Sequence, residues 1–181
     1  MNRVIRKLKK IWYGYTGNEE AILRMKIEQF RKQGGTCGNN FKFYGDMPVE
    51  PYLVTIGNDV TLASGAVLVT HDNSVIKCNI DATDYFGKIH IGDCCFVGFN
   101  SIILPGVELG NSTIVGAGSV VTKSFSQGNV VIAGNPAKVI CTVEEFVEKK
   151  SKLCVNLDKG DLRSRKREYL TSLPDDMFER K

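Results

Sequence analysis

No stretch of the 181 residues approaches the roughly 18 consecutive apolar residues that a membrane-spanning helix needs, so no stable membrane insertion is expected. The start, MNRVIRKLKKIW, is basic but lacks the apolar stretch and small-residue cleavage site of a secretory signal. A cytoplasmic location is expected. Histidine is scarce, with His71 and His90 alone, too few for a three-histidine zinc centre. No metal is expected. The six cysteines (Cys37, Cys78, Cys94, Cys95, Cys141, Cys154) include no CxxC pair and no regular spacing, which favours reduced thiols over a disulfide framework. Cys94 and Cys95 are neighbours whose side chains should diverge.

Charge of one sign is also missing where a nucleic-acid footprint would need it. Residues 1–35 carry nine Lys/Arg against three Asp/Glu, residues 142–181 ten against nine, and residues 36–141 five against eight. The middle of the chain is mildly acidic, and no nucleic-acid partner is expected. Against that background Lys123 and Lys138 stand out. The basic N-terminal stretch reads as a solvated helix face.

What is abundant is repetition. An aliphatic residue returns at every sixth position from Ile91 through Val97, Ile103, Leu109 and Val115 to Val121, and Gly follows it at Gly92, Gly98, Gly110 and Gly116. Four places after the aliphatic stand Cys95, Ser101, Val107, Thr113 and Ser119. A period of six fits neither a helix at 3.6 nor a strand at 2. It fits an all-β solenoid in which three short strands complete one turn and each unit buries one aliphatic side chain. Such a coil buries its core by stacking on its neighbours. A thin prism has no deep pocket, so a site must form on its flanks or between copies.

The rhythm starts weakly at Cys37 and Phe43, passes through Val49, slips near Glu50–Pro51–Tyr52, and resumes at Ile56, Leu62 and Leu68. The next inward residue would be 74, yet the pattern restarts at Ile91, so 17 residues are extruded between His71 and His90. Residues 2–13 read as an amphipathic helix. Asn18 caps a second one that runs to about Lys32 and stops at Gly34–Gly35. Thr142 with Glu145 forms a capping box for a C-terminal helix, and another follows Asp161 and ends at Pro174. The expected organisation is a helical cap at 1–35, the repeat domain at 36–141 with residues 72–90 extruded, and a helical extension at 142–181.

A proton carrier near neutral pH is most simply a histidine. His90 lies in an alternating strand just before an inward Ile and should face solvent or a neighbouring loop. His71 follows the apolar run Ala66–Thr70 and sits where the excursion leaves the scaffold, a place suited to binding groups. Asp72 either orients the imidazole or begins the turn.

The text Ile114-Val115-Gly116-Ala117-Gly118-Ser119-Val120-Val121-Thr122-Lys123, with Ala133-Gly134-Asn135-Pro136-Ala137-Lys138-Val139-Ile140 after it, resembles the hexapeptide-repeat acyltransferases, most closely their sugar O-acetyltransferase branch. The resemblance covers roughly residues 35–141 and includes Thr70-His71-Asp72. It implies a left-handed parallel β-helix, an exception to the usual right-handed crossover, assembled as a homotrimer. It implies acetyl-CoA in the groove between two prisms and a catalytic histidine at His71, with Asp72 beside it. Coenzyme contacts would come from Phe96, Asn100, Ala117, Gly118 and Ser119, then Thr122, Lys123, Pro136, Ala137 and Lys138 toward the nucleotide. Glu50, Tyr85 and Phe86 are the candidates for a sugar or glycan acceptor, with Lys77, Asp81 and Asp84 in the same extruded segment.

Two departures stand out. Phe96 fills a position often held by Trp, and Cys141 one often held by a basic residue; Arg163, Arg165, Lys166 and Arg167 are candidates to replace the latter's phosphate contact. His71 would act as general base on an acceptor hydroxyl, with direct transfer from the thioester and no acyl-enzyme. Competing readings are an amino-sugar N-acetyltransferase, for which no nucleotide-binding βαβ unit precedes Cys37, and an antibiotic acetyltransferase. A serine acetyltransferase would need a larger helical domain. A trimeric scaffold without activity is the non-enzymatic alternative.

Overall fold

A computed structural model describes residues 18–179, which divide into two compact units between Val143 and Glu144. The helix expected at 2–13 lies outside the described residues. Asn18 opens α1 (Glu19–Lys32), its side chain accepting the Ala21 N–H at 3.0 Å. Glu19 and Glu20 occupy the positive first turn, and Arg31 and Lys32 the last. The helix buries Phe30 against Phe41 and Phe43, with ring centroids 6.0 and 5.8 Å away.

Short strands follow: β1 (Thr36–Cys37), β2 (Lys42–Phe43), β3 (Val54–Ile56), β4 (Thr61–Leu62), β5 (Val67–Leu68), β6 (His71–Asp72), β7 (Tyr85–Phe86), β8 (Ile89–Ile91), β9 (Phe96–Val97), β10 (Ile102–Ile103), β11 (Glu108–Leu109), β12 (Ile114–Val115), β13 (Val120–Val121), β14 (Val130–Gly134) and β15 (Ala137–Thr142). From β8 to β13 the chain visits three parallel sheets in rotation. One contains β1, β3, β8 and β11, the second β2, β4, β9 and β12, the third β5, β10 and β13. Leu109 stacks on Ile91, Val115 on Val97 and Val121 on Ile103, so three six-residue units bring the chain back over itself. The same stacking crosses the interruption, with Ile91 on Ile56, Val97 on Leu62 and Ile103 on Leu68. Their separation of 35 is one turn of 18 plus the 17 extruded residues.

The six aliphatics from Ile91 to Val121 are all 0% exposed, which is why the period is kept. Burial gives each unit a second inward position, at Cys95, Ser101, Val107, Thr113 and Ser119. The hydroxyls there satisfy themselves on backbone: Ser101 and Ser119 donate to the Gly116 carbonyl at 2.9 and 2.6 Å, and Thr113 to that of Gly110 at 2.7 Å. Corners fall one residue earlier, at Cys94, Asn100, Gly106, Ser112 and Gly118, all with φ between 54° and 82°. The glycine that follows the inward aliphatic answers a different demand. A Cβ on Gly98 would lie 2.7 Å from the Ala117 nitrogen and the Val115 oxygen of the neighbouring coil.

Two expectations need correction. Val49 is not inward but 75% exposed; the chain leaves the sheets after β2 and turns through a 3₁₀ segment at Pro51–Leu53, which resets the register at β3. After Val121 the half-buried Phe125 bridges to Leu109 before β14 and β15 close the unit as an antiparallel hairpin. α2 (Val143–Lys150) begins right after Thr142 as expected, but in the second unit α3 (Lys166–Ser172) starts later than Asp161 because residues 161–165 form turns. Arg165 there joins Asp161 at 3.5 Å and Glu168 at 2.6 Å. Cys94 is exposed and Cys95 buried, so the two side chains diverge. Among the described residues no helix is long and apolar enough to cross a membrane.

Candidate functional site

The site begins where the coil is interrupted. Val69 still donates to the Ile103 carbonyl at 2.9 Å, but at His71 the chain departs. It returns beside itself: β6 pairs antiparallel with β7, His71 opposite Phe86 and Asp72 opposite Tyr85. Gly87 donates to the Thr70 carbonyl at 3.0 Å and brings the chain back to the next coil. The hairpin sets the Phe86 ring 5.8 Å from the imidazole. Tyr85 and Phe86 are both exposed.

The imidazole is held by a carboxylate from an earlier coil. His71 Nδ1 lies 2.8 Å from Glu50 Oε2, and the buried Thr70 hydroxyl donates to the same oxygen. The Glu50 side chain is 12% exposed and that of His71 30%. Glu50 is therefore the carboxylate on the ring, whereas Asp72, expected as a catalytic partner, starts the turn. Its carboxylate accepts the Ser74 N–H at 2.7 Å and the Tyr85 hydroxyl at 3.1 Å. The hydrogen bond to Glu50 raises the His71 pKa above its ordinary 6.5, against burial and helped by the charges of Glu50, Asp84 and Asp72. Burial pushes the Glu50 carboxyl up, but the hydrogen bonds from Thr70 and His71 and the imidazolium charge outweigh it and leave it below the usual range. The Ser74 backbone N–H and hydroxyl, with Tyr85, lower Asp72, and Tyr85 is raised by Asp72 in turn.

With Glu50 ionised, Nδ1 carries the ring hydrogen and Nε2 keeps its lone pair. Such a ring can take a proton at Nε2, and the carboxylate stabilises the resulting cation. Beside it opens a cleft of about 190 Å³ between residues 46–49 and 67–71. A larger hollow flanks α1 and is lined by residues of 18–41, none of them from this cluster.

The expected coenzyme residues fall along two lines. Asn100 and the exposed Ala117 and Gly118 share one corner, where the Gly118 N–H donates to the Phe99 carbonyl at 2.7 Å, and Phe96, half-exposed, lies in β9 on the strand that leads to it. Ser119 is buried there and accepts the Gly134 N–H at 3.1 Å, which ties that corner to the hairpin carrying Pro136, Ala137 and Lys138. Ala137 is buried, whereas Pro136 and Lys138 are exposed. Thr122 and Lys123 lie on the other line. Val69 bonds to the Ile103 carbonyl and Leu104 to that of Val121, so Thr122 sits two strands along from Val69, roughly 10 Å at the usual strand spacing. The Lys123 ammonium is 5.6 Å from the Phe125 ring centroid. His90 is exposed in β8, in register with Thr55 and Glu108, and does not join the cluster. Arg163, proposed for a phosphate, is paired with Asp158 at 2.6 Å.

Sequence reasoning missed Thr70 as the donor to Glu50, the charge of Asp84, and the cleft residues Asp46–Val49. The signal for Glu50 was its place at the slip in the rhythm, one coil before His71.

Residues 88–123 match the family described as bacterial transferase hexapeptide (six repeats). The chain is 44% identical over 128 residues to Protein CapG of Staphylococcus aureus, covering 67% of this chain and 74% of that protein. Among solved structures it resembles a maltose O-acetyltransferase from Clostridium difficile 630, with a TM-score of 0.52, 25% identity, and coverage of 66% of this chain and 75% of that one. A galactoside acetyltransferase in complex with coenzyme A shares the fold at a TM-score of 0.51 and 21% identity, over 79% of this chain and 83% of that one.

Proposed function

This chain belongs to the bacterial hexapeptide-repeat acyltransferases, and from that premise we propose that it moves an acetyl group from acetyl-CoA to a hydroxyl of a sugar or glycan. The observation that carries the reading is the Glu50–His71 pair at the rim of an open cleft, with the exposed Phe86 ring beside it. In this reading His71 Nε2 takes the acceptor hydroxyl proton as that oxygen attacks the thioester carbonyl. His71 then returns the proton to the departing thiolate, so the C–S bond breaks as the C–O bond forms. Glu50 keeps the imidazolium oriented and stabilised meanwhile. General base assistance of this kind contributes about 10²–10⁴-fold, and holding both substrates together adds to it.

The coenzyme fits the residues present. A Cβ on Gly118 would meet nothing within 4 Å, so that corner offers open backbone to a pantetheine arm, and the exposed ammonium groups of Lys123 and Lys138 suit phosphates. The winding is left-handed and the working unit a homotrimer, with the donor lying between two copies. Its place is in cell-surface polysaccharide synthesis on the cytoplasmic side. Acceptor contacts fall to Tyr85 and Phe86, while Glu50, first a candidate for that role, serves the imidazole. The test is thiol release from acetyl-CoA across a panel of sugars, nucleotide sugars and lipid-linked glycans. His71→Ala should lose two or more orders of magnitude in kcat while titration calorimetry shows acetyl-CoA binding retained; near-normal turnover would remove His71 from the role.

A further inference from the structure

The cleft beside His71 has a composition of its own. One wall is Met47, Pro48 and Val49, the other Val67, Leu68 and Val69, with Thr70 and His71 at its end. Pro48 and Leu68 are buried, Met47, Val67 and Val69 half-buried. Asp46 stands at the edge of this apolar slot, its backbone fixed by a 2.9 Å hydrogen bond from its N–H to the Ala66 carbonyl. Its exposed carboxylate has no hydrogen-bond or ion-pair partner among the described residues. At about 190 Å³ the cleft is smaller than the roughly 300–1,000 Å³ that encloses a drug-sized ligand. It has room for a substituent or one ring, not for a whole nucleotide sugar.

We propose that this cleft is an acceptor subsite for the N-acylamino group of an uncharged sugar, the amide N–H donating to Asp46 and the methyl lying among Met47, Pro48, Val49 and Val69. The inference rests on the acetyl-transfer reading above and names the acceptor class. A donor's acyl chain would set methylenes against an unpaired carboxylate. A free ammonium would suit Asp46 but not the apolar walls, and a deoxy methyl would suit the walls but not Asp46. A uronate would meet Asp46 and, around the imidazole, Glu50, Asp72 and Asp84. An acetamido group alone answers both halves of the slot, since its donor and its methyl are a few bonds apart.

Saturation-transfer NMR on the full chain tests this without turnover. The probes are the methyl glycosides of N-acetylglucosamine, N-acetylgalactosamine, glucose, galactose and glucuronic acid. The acetamido methyl of at least one N-acetyl sugar should receive the strongest transfer. That sugar should bind about fourfold or more tighter than its hexose counterpart, whose hydroxyl can also donate to Asp46 but which lacks the methyl. Asp46→Ala should weaken the binding of N-acetyl and plain sugars alike, and Val49→Ser should shrink both the contrast and the methyl signal without unfolding the chain. Equal binding of N-acetyl and plain sugars, or N-acetyl sugar binding unchanged by Asp46→Ala, overturns the proposal. Thiol release with the same panel judges the acetyl-transfer reading separately: silence with every sugar would sink that reading while the binding contrast stood or fell on its own.

Discussion

Replacing Glu50 with Gln separates shape from charge at the imidazole. The amide oxygen can still accept from the Thr70 hydroxyl and from His71 Nδ1–H, so the hydrogen bonds at Glu50 Oε2 survive while the negative charge is lost. Because that hydrogen bond and charge hold His71 above 6.5, the acid limb of kcat/KM should sit above the ordinary histidine position in the wild type. It should move to lower pH in the variant. A less basic imidazole whose cation is no longer stabilised should cost about 10–100-fold in kcat, short of the full 10²–10⁴-fold worth of a general base. Stability follows the same signs. A raised histidine adds stability that is present below its unfolded pKa and lost as pH rises through the folded one. A lowered carboxyl adds stability above its unfolded pKa, lost as pH falls through the folded one. The pair therefore contributes most between the carboxylate and histidine ranges, and Glu50→Gln should destabilise more at about pH 5.5 than at about pH 8.5 in urea unfolding. An acid limb that stays put, together with equal losses at both pH values, would refute the assignment of Glu50.

The remaining expectations concern the scaffold. Leu109→Ala, at a position with no exposure, should cost about 2–5 kcal/mol, whereas Val49→Ala, mostly exposed, should change the unfolding midpoint little. Gly98→Ala places a Cβ against the next coil and should cost about 1–3 kcal/mol by overpacking; Gly118→Ala meets no atom but keeps φ at 68° and should cost about 1–2 kcal/mol. Thermal denaturation ranks all four, and a Gly98 variant as stable as the wild type would contradict the stacking. Ser119→Ala removes the acceptor of the Gly134 N–H and should lose about 1–3 kcal/mol in chemical denaturation, with hydrogen exchange at Gly134 accelerated.

Much of the scaffold could be read from the chain because its rule is local. A side chain that must point inward at every third of a turn repeats every six residues, so Ile91 through Val121 announce their own burial, and 17 surplus residues announce a protrusion. The rule broke where the chain stopped obeying it. Val49 kept the spacing but not the environment, since a 3₁₀ turn after it resets the coil. The turns at 161–165 delayed a helix that composition had begun earlier.

The chemistry at the rim is different in kind. His71 was recognisable as a proton carrier from its residue type and its place at the start of the excursion. Nothing in spacing alone said that Glu50, 21 residues upstream, rather than the adjacent Asp72, would grip its ring. Residues that meet across coils are joined by stacking register, and register is a product of packing rather than of neighbouring letters. Periodicity can therefore be heard in one strand of text, whereas the partners of an imidazole exist once separate turns have come to rest on each other.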